Sequence, residues 1–322
     1  MNFYETGSHV AEVAFELKNL ASGKYPRFVT KFGNGWKLPE IPVFSFHDVH
    51  PEKFEAQLKF LQDNGYETLN ATEYGACSNG SGDSGRKVLL TFDDGRDSLW
   101  TVAYPLLKKY KMKAVAFVLP GEIKDAEAPR RTFDGSYGDI ENDDELCSWP
   151  EVEAMGDVID VQSHSDTHFI MFTSSKVVDF FSPRIKQKWM EIEWPVINSK
   201  TAQRDYGLGT PFYEMDSRLS GSLRMLEPEP IREACQQFVK ENGNEQFFNR
   251  KNWFSELSHV HNEALSKAVF KTETAEQKES AIRKVLANSK KTLEEKLGKQ
   301  IEHLCLPFGI GGETTLKLAG EA

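Results

Sequence analysis

Two adjacent carboxylates are the first groups in this sequence that could do chemistry. Asp93 and Asp94 stand in the segment TFDDG, residues 91–95, directly after the apolar run 88–90. Parallel α/β folds place their active sites at the carboxyl ends of strands, so this position favours a functional role. One carboxylate can bind a cation while the other stays free as a base. The alternative is an Asp-Asp-Gly turn in which glycine supplies a positive φ, and for this segment alone the turn is the commoner explanation.

Two histidines four residues apart form the second candidate group. His164 and His168 begin and end the segment HSDTH, which follows a predicted strand over residues 158–162. Residues i and i+4 lie on the same side of a helical turn, where two imidazoles can bind one metal ion. The alternative is a surface turn with incidental histidines, which is as frequent for an isolated pair of this kind. The position at a strand end favours a ligand pair.

Taken together, the two groups predict a metal site. Asp94, His164 and His168 supply one carboxylate and two imidazoles, a ligand set that leaves positions open for water. Asp93 then lies beside that water and can take its proton. This is the minimum machinery for metal-assisted hydrolysis.

These residues also resemble a known family. TFDDG and His-Ser-x-x-His are similar to the first two motifs of the polysaccharide deacetylase family, carbohydrate esterase family 4 of the NodB type. The segments 43–49 and 54–66 resemble the family's first strand and the helix after it, and LCLPFG at 304–309 resembles its third motif, an Arg-x-Pro-aromatic-Gly element. The resemblance covers about 41–171 and 274–322, with the motifs in the family's order.

The resemblance implies a role for each site residue. Asp93 is the implied catalytic base. The implied metal ligands are Asp94, His164 and His168. The implied divalent metal is zinc, with cobalt or nickel as alternatives. Pro307 and Phe308 would bind the substrate, and a backbone N–H near Phe308 would bind the oxyanion.

The implied function is removal of an N-acetyl group from an amino sugar of a polysaccharide or its precursor. The same metal site suits a deformylase, a hydrolase of another linear or cyclic amide, or an esterase that removes O-acetyl groups. A hypothesis from a different class is a non-catalytic carbohydrate-binding protein built on the deacetylase scaffold.

Two departures from the family pattern bear on the mechanism. Cys305 stands where many relatives have the arginine that orients the base, so Asp93 needs another partner. The chain ends at residue 322, where relatives continue to a late Leu-x-His motif that holds the general acid, and we expect a C-terminal truncation. The histidines that could replace this acid are His47, His259 and His261. Most histidines are structural or exposed, which favours those roles for all three.

Alternating strands and helices must position these groups. Apolar runs predict strands over 41–46, 88–92, 114–119, 158–162 and 301–306, and apolar spacing predicts helices over 8–20, 51–64, 98–110, 149–155 and 274–297. Alternation of this kind implies parallel β-α units. With the resemblance, the predicted fold class is α/β, a distorted (β/α) barrel of the deacetylase type that is incomplete at its C-terminus.

The predicted domain organisation has three parts. We expect residues 1–40 to be an N-terminal extension and 41–322 a deacetylase-like catalytic domain, interrupted by a folded insertion at about 172–272. The aromatic segments around Phe212 and Trp253 form either sugar-stacking surfaces or the core of a small subdomain, and we favour the core.

Composition narrows the class of partner. Asp and Glu outnumber Lys and Arg by 49 to 39 in 322 residues, for a net charge of −10, which disfavours nucleic acid. No run of about 18 apolar residues predicts a membrane span. The N-terminal MNFYE has no basic region followed by an apolar run, so we expect no signal peptide and a cytoplasmic location. The 4 cysteines form no Cys-x-x-Cys pair, which favours reduced thiols over a zinc finger.

Overall fold

A computed structural model describes most of the chain. It covers residues 41–78, 85–135, 145–188, 190–197, 206–266 and 268–322, with Lys18 and Ala21 as isolated positions. Apart from these two positions, the predicted N-terminal extension and its helix over 8–20 lie outside the described residues.

Five parallel strands form the sheet that carries the candidate site. They are β1 (Val43–Phe46), β2 (Glu67–Leu69), β3 (Lys87–Phe92), β4 (Ala114–Val118) and β5 (Ile159–Ser163). The strand order is β1-β3-β4-β5, and β2 pairs with the first half of β3. β3 and β4 are buried along almost their whole length. Their uninterrupted apolar runs are typical of parallel strands covered on both faces, and these predicted strands are confirmed.

Helices return the chain between the strands. They are α1 (Pro51–Asp63), α2 (Ala71–Ala76), α3 (Tyr104–Tyr110, preceded by a π-helical turn at Leu99–Ala103) and α4 (Trp149–Ala154). Local sequence sets their ends. Gly65 follows α1 with a φ of 66°, a left-handed position that favours glycine. Asn70 and Glu73 form a capping box at the start of α2, which satisfies backbone N–H groups that the helix leaves open.

The main core lies between the sheet and helices α1, α3 and α4. Phe54 of α1 and Phe92 of β3 are 1% and 0% exposed, and their rings meet edge to face at 5.7 Å. Burying a side chain of this size stabilises the fold by about 1.5–3 kcal/mol. Because Phe92 ends β3, this packing fixes the backbone from which the two aspartates follow.

A second set of elements follows β5. It consists of β6 (Ile170–Phe180), α5 (Pro183–Lys188), β7 (Pro211–Ser217), β8 (Met225–Leu226), α6 (Glu229–Glu241), α7 (Trp253–Leu265) and β9 (Lys271–Thr272). Strands β6 and β7 pair antiparallel, as do β8 and β9. Phe212 and Tyr213 are both 0% exposed in the apolar cluster under β6 and β7, so they are core and offer no face to a sugar. Phe254, in contrast, is 42% exposed. The limits of the insertion stay a prediction.

The chain returns to the sheet through α8 (Ala275–Leu297), and α9 (Glu313–Glu321) ends it. Thr274 and Gln277 form the capping box of α8, and Gly298 follows its last turn with a φ of 63°. The strand predicted over 301–306 is wrong, because only Leu304 forms a bridge, to Ser163. Before Leu304, the N–H groups of Glu302 and His303 donate to the side-chain oxygen of Gln162 and not to the backbone of β5.

The α/β class and the parallel sheet are as predicted. Within the described ranges no strand closes the sheet between β5 and β1, so the five strands form an open arc of the distorted barrel. None of the helices in the described part of the chain is both long and apolar enough to cross a membrane.

Candidate metal centre

Asp93 and Asp94 follow the carboxyl end of β3 and lie in different surroundings. The N–H of Asp93 donates to Phe46 O at 2.9 Å, which extends the pairing with β1 by one residue. Asp94 then adopts a φ of 68° and Gly95 a φ of 78°. This turn leaves Asp93 half-buried and sends Asp94 into the protein, where it is 2% exposed. The Asp-Asp-Gly turn, which was the alternative explanation for this segment, is therefore present, and it buries the Asp94 carboxylate.

The two histidines follow β5 on the neighbouring side. The N–H of His164 donates to Val118 O at 2.9 Å, so its position is set by pairing with β4. The predicted helical turn from 164 to 168 is wrong, because Ser165 has a φ of 74° and the segment is a loop. The loop still folds back, so that the rings of His164 and His168 lie with centroids 5.6 Å apart. Both residues are buried, at 2% and 6% exposure.

The spacing of three donor atoms fits a metal ion. Asp94 Oδ1 lies 3.5 Å from His164 Nε2 and 3.7 Å from His168 Nε2. One ligand atom from each of the three residues lies within 4.8 Å of the others. Ligands bonded to zinc at about 2.0–2.2 Å in a tetrahedral site lie about 3.3–3.6 Å apart, which is close to the observed spacing. Asp94 Oδ1 is buried and accepts no hydrogen bond from any described residue, so a cation would satisfy it.

A backbone carbonyl behind His164 orients its ring. His164 Nδ1 lies 2.9 Å from Cys305 O. Because a carbonyl only accepts, Nδ1 carries the proton and Nε2 presents its lone pair toward Asp94. Burial lowers the pKa of His164, against the opposing charges of Asp93 and Asp94, which favours the neutral form that a metal requires. A neutral imidazole does not form an ion pair with Asp94, and its lone pair faces Asp94 Oδ1 as two donors to one cation would.

Arg96 orients the other oxygen of Asp94. Its Nε donates to Asp94 Oδ2 at 3.3 Å, while its other nitrogens lie 3.2 Å from Asp48 and 3.9 Å from Glu193. The sequence interpretation missed this arginine, although its position two residues after Asp94 was a local signal. Holding Oδ2 in this way leaves Oδ1 for the two imidazoles.

The third motif lies beside the histidines. Pro307 is buried, and Phe308 is 38% exposed with its ring centroid 4.2 Å from that of His168. Phe308 has a φ of 59°, which turns its side chain out of the 3-10 turn Pro307–Gly309. The structure thus brings both residues to the edge of the centre, and their substrate and oxyanion roles stay predictions.

Two further side chains lie near the Asp93 carboxylate. Ser45 Oγ on β1 donates to Asp93 Oδ2 at 3.2 Å. One donor atom each from Asp93, His164 and Cys305 lies within 4.8 Å of the others. The sequence interpretation did not single out Ser45, because its contact depends on the register that pairs it with Thr91.

The histidines considered as a general acid lie in different places. His261 is buried, with Nε2 3.2 Å from the hydroxyl of Tyr213, and burial lowers its pKa, so it belongs to the core of the second set of elements. His259 is exposed on α7, 3.2 Å from Glu263. His47 is exposed and close enough for its charge to lower the pKa of His164.

Fold and centre together define an α/β protein with an Asp-His-His group at the carboxyl ends of parallel strands. The polysaccharide deacetylase family model matches residues 80–193, a segment that includes all of these side chains. Among curated relatives, the chain is 39% identical over 92 residues to YxkH of Bacillus subtilis (strain 168), a protein named among the polysaccharide deacetylases, with 26% of this chain and 33% of that protein covered.

It is also 31% identical over 77 residues to a poly-β-1,6-N-acetyl-D-glucosamine N-deacetylase of Staphylococcus aureus (strain MSSA476), with 24% of this chain and 27% of that protein covered. The match to each of these relatives thus spans a third or less of their length. Among solved structures, the de-N-acetylase of Aggregatibacter actinomycetemcomitans has a TM-score of 0.52 at 14% identity, with 87% of this chain and 84% of that chain covered. The BpsB deacetylase domain of Bordetella bronchiseptica has a TM-score of 0.50 at 15% identity, with the same coverage of 87% and 84%. At these identities the two structures establish the fold.

Proposed function

We propose that this chain removes an N-acetyl group from an amino sugar of a polysaccharide or its precursor, with a divalent cation held by Asp94, His164 and His168. The observation that carries the proposal is the convergence of these three donors, with Asp94 Oδ1 buried and without a hydrogen bond from any described residue. The Staphylococcus aureus relative is named for an acetylamino-sugar polymer, which supports the choice of substrate class.

Zinc is the first choice of cation. Two imidazoles and one carboxylate are a common catalytic zinc set, and cobalt or nickel can replace zinc in nitrogen and oxygen sites. When bound, the cation supplies positive charge that polarises the acyl carbonyl and lowers the pKa of a nearby water. Arg96 orients the Asp94 carboxylate, and Cys305 O orients the His164 imidazole. These contacts fix two of the three proposed ligands.

Asp93 acts as the base in this proposal. Its Oδ1 is buried and accepts no hydrogen bond from a described residue, whereas Oδ2 accepts one from Ser45, so Oδ1 is the oxygen placed to take the proton of the attacking water. The new C–O bond forms as that proton moves to Oδ1. When the C–N bond breaks, the same proton can return to the amine nitrogen. The products are acetate and a free amine.

Pro307 and Phe308 complete the proposed site. A backbone N–H near Phe308 would donate to the oxyanion that develops on the acyl oxygen. The exposed ring of Phe308 stands against His168 and gives the opening an apolar wall. We further propose that residues 41–322 form the catalytic domain, with the insertion at about 172–272 beside the site. The cytoplasmic location and the absence of a nucleic-acid partner stay predictions.

Metal content tests the proposal before any substrate is known. The purified chain should hold about one equivalent of zinc or a similar ion, as a single site requires. The variants Asp94→Ala, His164→Ala and His168→Ala should each lose it while circular dichroism shows that they stay folded. His259→Ala is the matched control, since this histidine is exposed on α7 and lies 3.2 Å from Glu263.

Acetate and amine release from an N-acetylglucosamine polymer is the second measurement. The wild type should release both in equal amounts, and Asp93→Asn should keep the metal and lose most of the activity. A folded wild type that takes up no metal on reconstitution contradicts the proposed function. Metal uptake without release from any acetylamino sugar would leave a carbohydrate-binding role as the better explanation.

A further inference from the structure

The side chains that contact the Asp93 carboxylate differ from the arginine that the family resemblance implies. Its Oδ2 accepts a hydrogen bond from the hydroxyl of Ser45 at 3.2 Å, and its carboxylate lies within 4.8 Å of the Cys305 thiol. Both neighbours are uncharged. The arginine in this part of the described chain, Arg96, contacts the oxygen of Asp94 instead.

Backbone pairing fixes the position of Cys305. Its N–H donates to Ser163 O at 3.0 Å, and the N–H of Ser163 donates to His303 O at 3.2 Å. Its carbonyl accepts from His164 Nδ1 at 2.9 Å. Two bonds made by Cys305 and one made by His303 therefore hold this segment against the end of β5, and the main chain places the thiol near the Asp93 carboxylate.

Ser45 contacts the same carboxylate from β1, the strand that pairs with β3. β1 pairs with β3 so that Ser45 lies opposite Thr91, and the N–H of Asp93 itself donates to Phe46 O. The serine side chain is therefore set by the sheet, as the cysteine is set by its bridge to β5. Oδ1 of Asp93 remains buried without a hydrogen bond from any described residue.

We propose that Ser45 and Cys305 are positioning residues that together orient the Asp93 carboxylate, in place of the cationic side chain found in many relatives. The proposal rests on the function proposed above. A carboxylate can rotate about its Cβ–Cγ bond, and donors on two separate segments, β1 for Ser45 and the segment after α8 for Cys305, restrict that rotation. The restriction keeps Oδ1 aimed at the position of the attacking water.

Loss of either side chain should lower kcat and leave substrate binding unchanged. Because Ser45 is exposed and a thiol is a weak donor, removal of either contact should slow a step that depends on it by about 3- to 30-fold. Neither side chain lies among the three proposed metal ligands. Ser45→Ala and Cys305→Ala should therefore each lower kcat by that factor, with KM within about threefold of wild type and metal content unchanged.

Three controls separate positioning from general damage. Cys305→Ser keeps a donor and should recover most of the kcat lost in Cys305→Ala. Cys77→Ala is the matched cysteine control, because Cys77 is also half-buried but contacts Lys87 at 3.6 Å. The double variant Ser45→Ala with Cys305→Ala should fall below either single variant. Thermal denaturation of each metal-loaded variant shows whether it is folded.

Steady-state deacetylation by the metal-loaded full chain is the deciding experiment. A fall in kcat for both alanine variants, with rescue by serine and no change in Cys77→Ala, supports the proposal. Wild-type kcat in Cys305→Ala and Ser45→Ala overturns it while the proposed function stands. Loss of metal in Cys305→Ala also overturns it, because the cysteine would then be a ligand. A metal-loaded wild type that releases no acetate refutes the proposed function, and the positioning role fails with it.

Discussion

Replacing Gly95 by alanine tests how tightly the backbone after the two aspartates is packed. Gly95 has a φ of 78°, and a Cβ at this position would lie 3.1 Å from Val118 Cγ1 and 3.3 Å from Val118 Cβ. Val118 is 0% exposed at the end of β4, so it cannot move without disturbing the core. Gly298 is a matched control, because its φ is 63° and a Cβ there meets nothing within 4 Å.

The difference between the two sites sets the expected magnitude. In both variants a Cβ in the left-handed region costs about 1–2 kcal/mol. Gly95→Ala adds overpacking against Val118, which costs about 1–3 kcal/mol more. We therefore expect the free energy of unfolding to fall by about 1–2 kcal/mol in Gly298→Ala and about 2–5 kcal/mol in Gly95→Ala. At about 2–4 °C per kcal/mol for a chain of this size, the Tm values should differ by several degrees.

Urea and thermal denaturation followed by circular dichroism measure both losses. The extra loss in Gly95→Ala should shrink when Val118→Ala is added, because the shorter side chain removes the crowding. Equal losses in Gly95→Ala and Gly298→Ala would refute the reasoning, since only backbone conformation would then matter. Metal content of Gly95→Ala should also fall, because Asp94 precedes the shifted residue.

Three other measurements follow from single side chains, two in the interior and one at the edge of the centre. Burial raises the pKa of Glu227 to about 7 from an ordinary value of 4.5, so the folded state keeps a proton that the unfolded chain releases. The free energy of unfolding should therefore fall by up to about 3 kcal/mol as the pH rises from 4.5 to about 7, and Glu227→Gln should flatten this dependence in urea titrations. Arg130→Ala leaves Glu151, which is 0% exposed, without its partner and should cost about 3–5 kcal/mol in the same assay. Phe308→Ala should keep the metal and lower kcat/KM by about tenfold through loss of the wall beside His168, and unchanged kinetics would exclude Phe308 from the substrate site.

Much of the sheet could be predicted from the sequence because its signals are local. The apolar runs at 88–92 and 114–119 become β3 and β4, and the glycines after α1 and α8 end those helices. The carboxyl ends of parallel strands meet at one edge, so the meeting of Asp94 with the two histidines was also predictable. The roles given to these residues and to Asp93 rest on the proposal and its test.

Apart from Arg96, which lies two residues after Asp94, the contacts that orient the centre could not be predicted, because they depend on long-range register. Ser45 meets Asp93 only because β1 pairs in register with β3, and neither residue carries a local sign of the other. The strand expected at 301–306 failed for a related reason. Its apolar run was a correct local signal, but the N–H groups of Glu302 and His303 donate to the Gln162 side chain, so only Leu304 forms a bridge to β5.

The three motif segments share a backbone feature that local preference opposes. Asp94, Ser165 and Phe308 have φ values of 68°, 74° and 59°, a region that disfavours residues with a Cβ by about 1–2 kcal/mol. Such conformations persist only where the surrounding structure over-determines them, and they cluster at functional sites. Here His164, next to Ser165, pairs with Val118, and the same valine leaves no room for a Cβ on Gly95, next to Asp94, so Val118 constrains two of the three segments. Because the geometry of the centre is imposed by packing, a change in that packing should weaken metal binding together with stability.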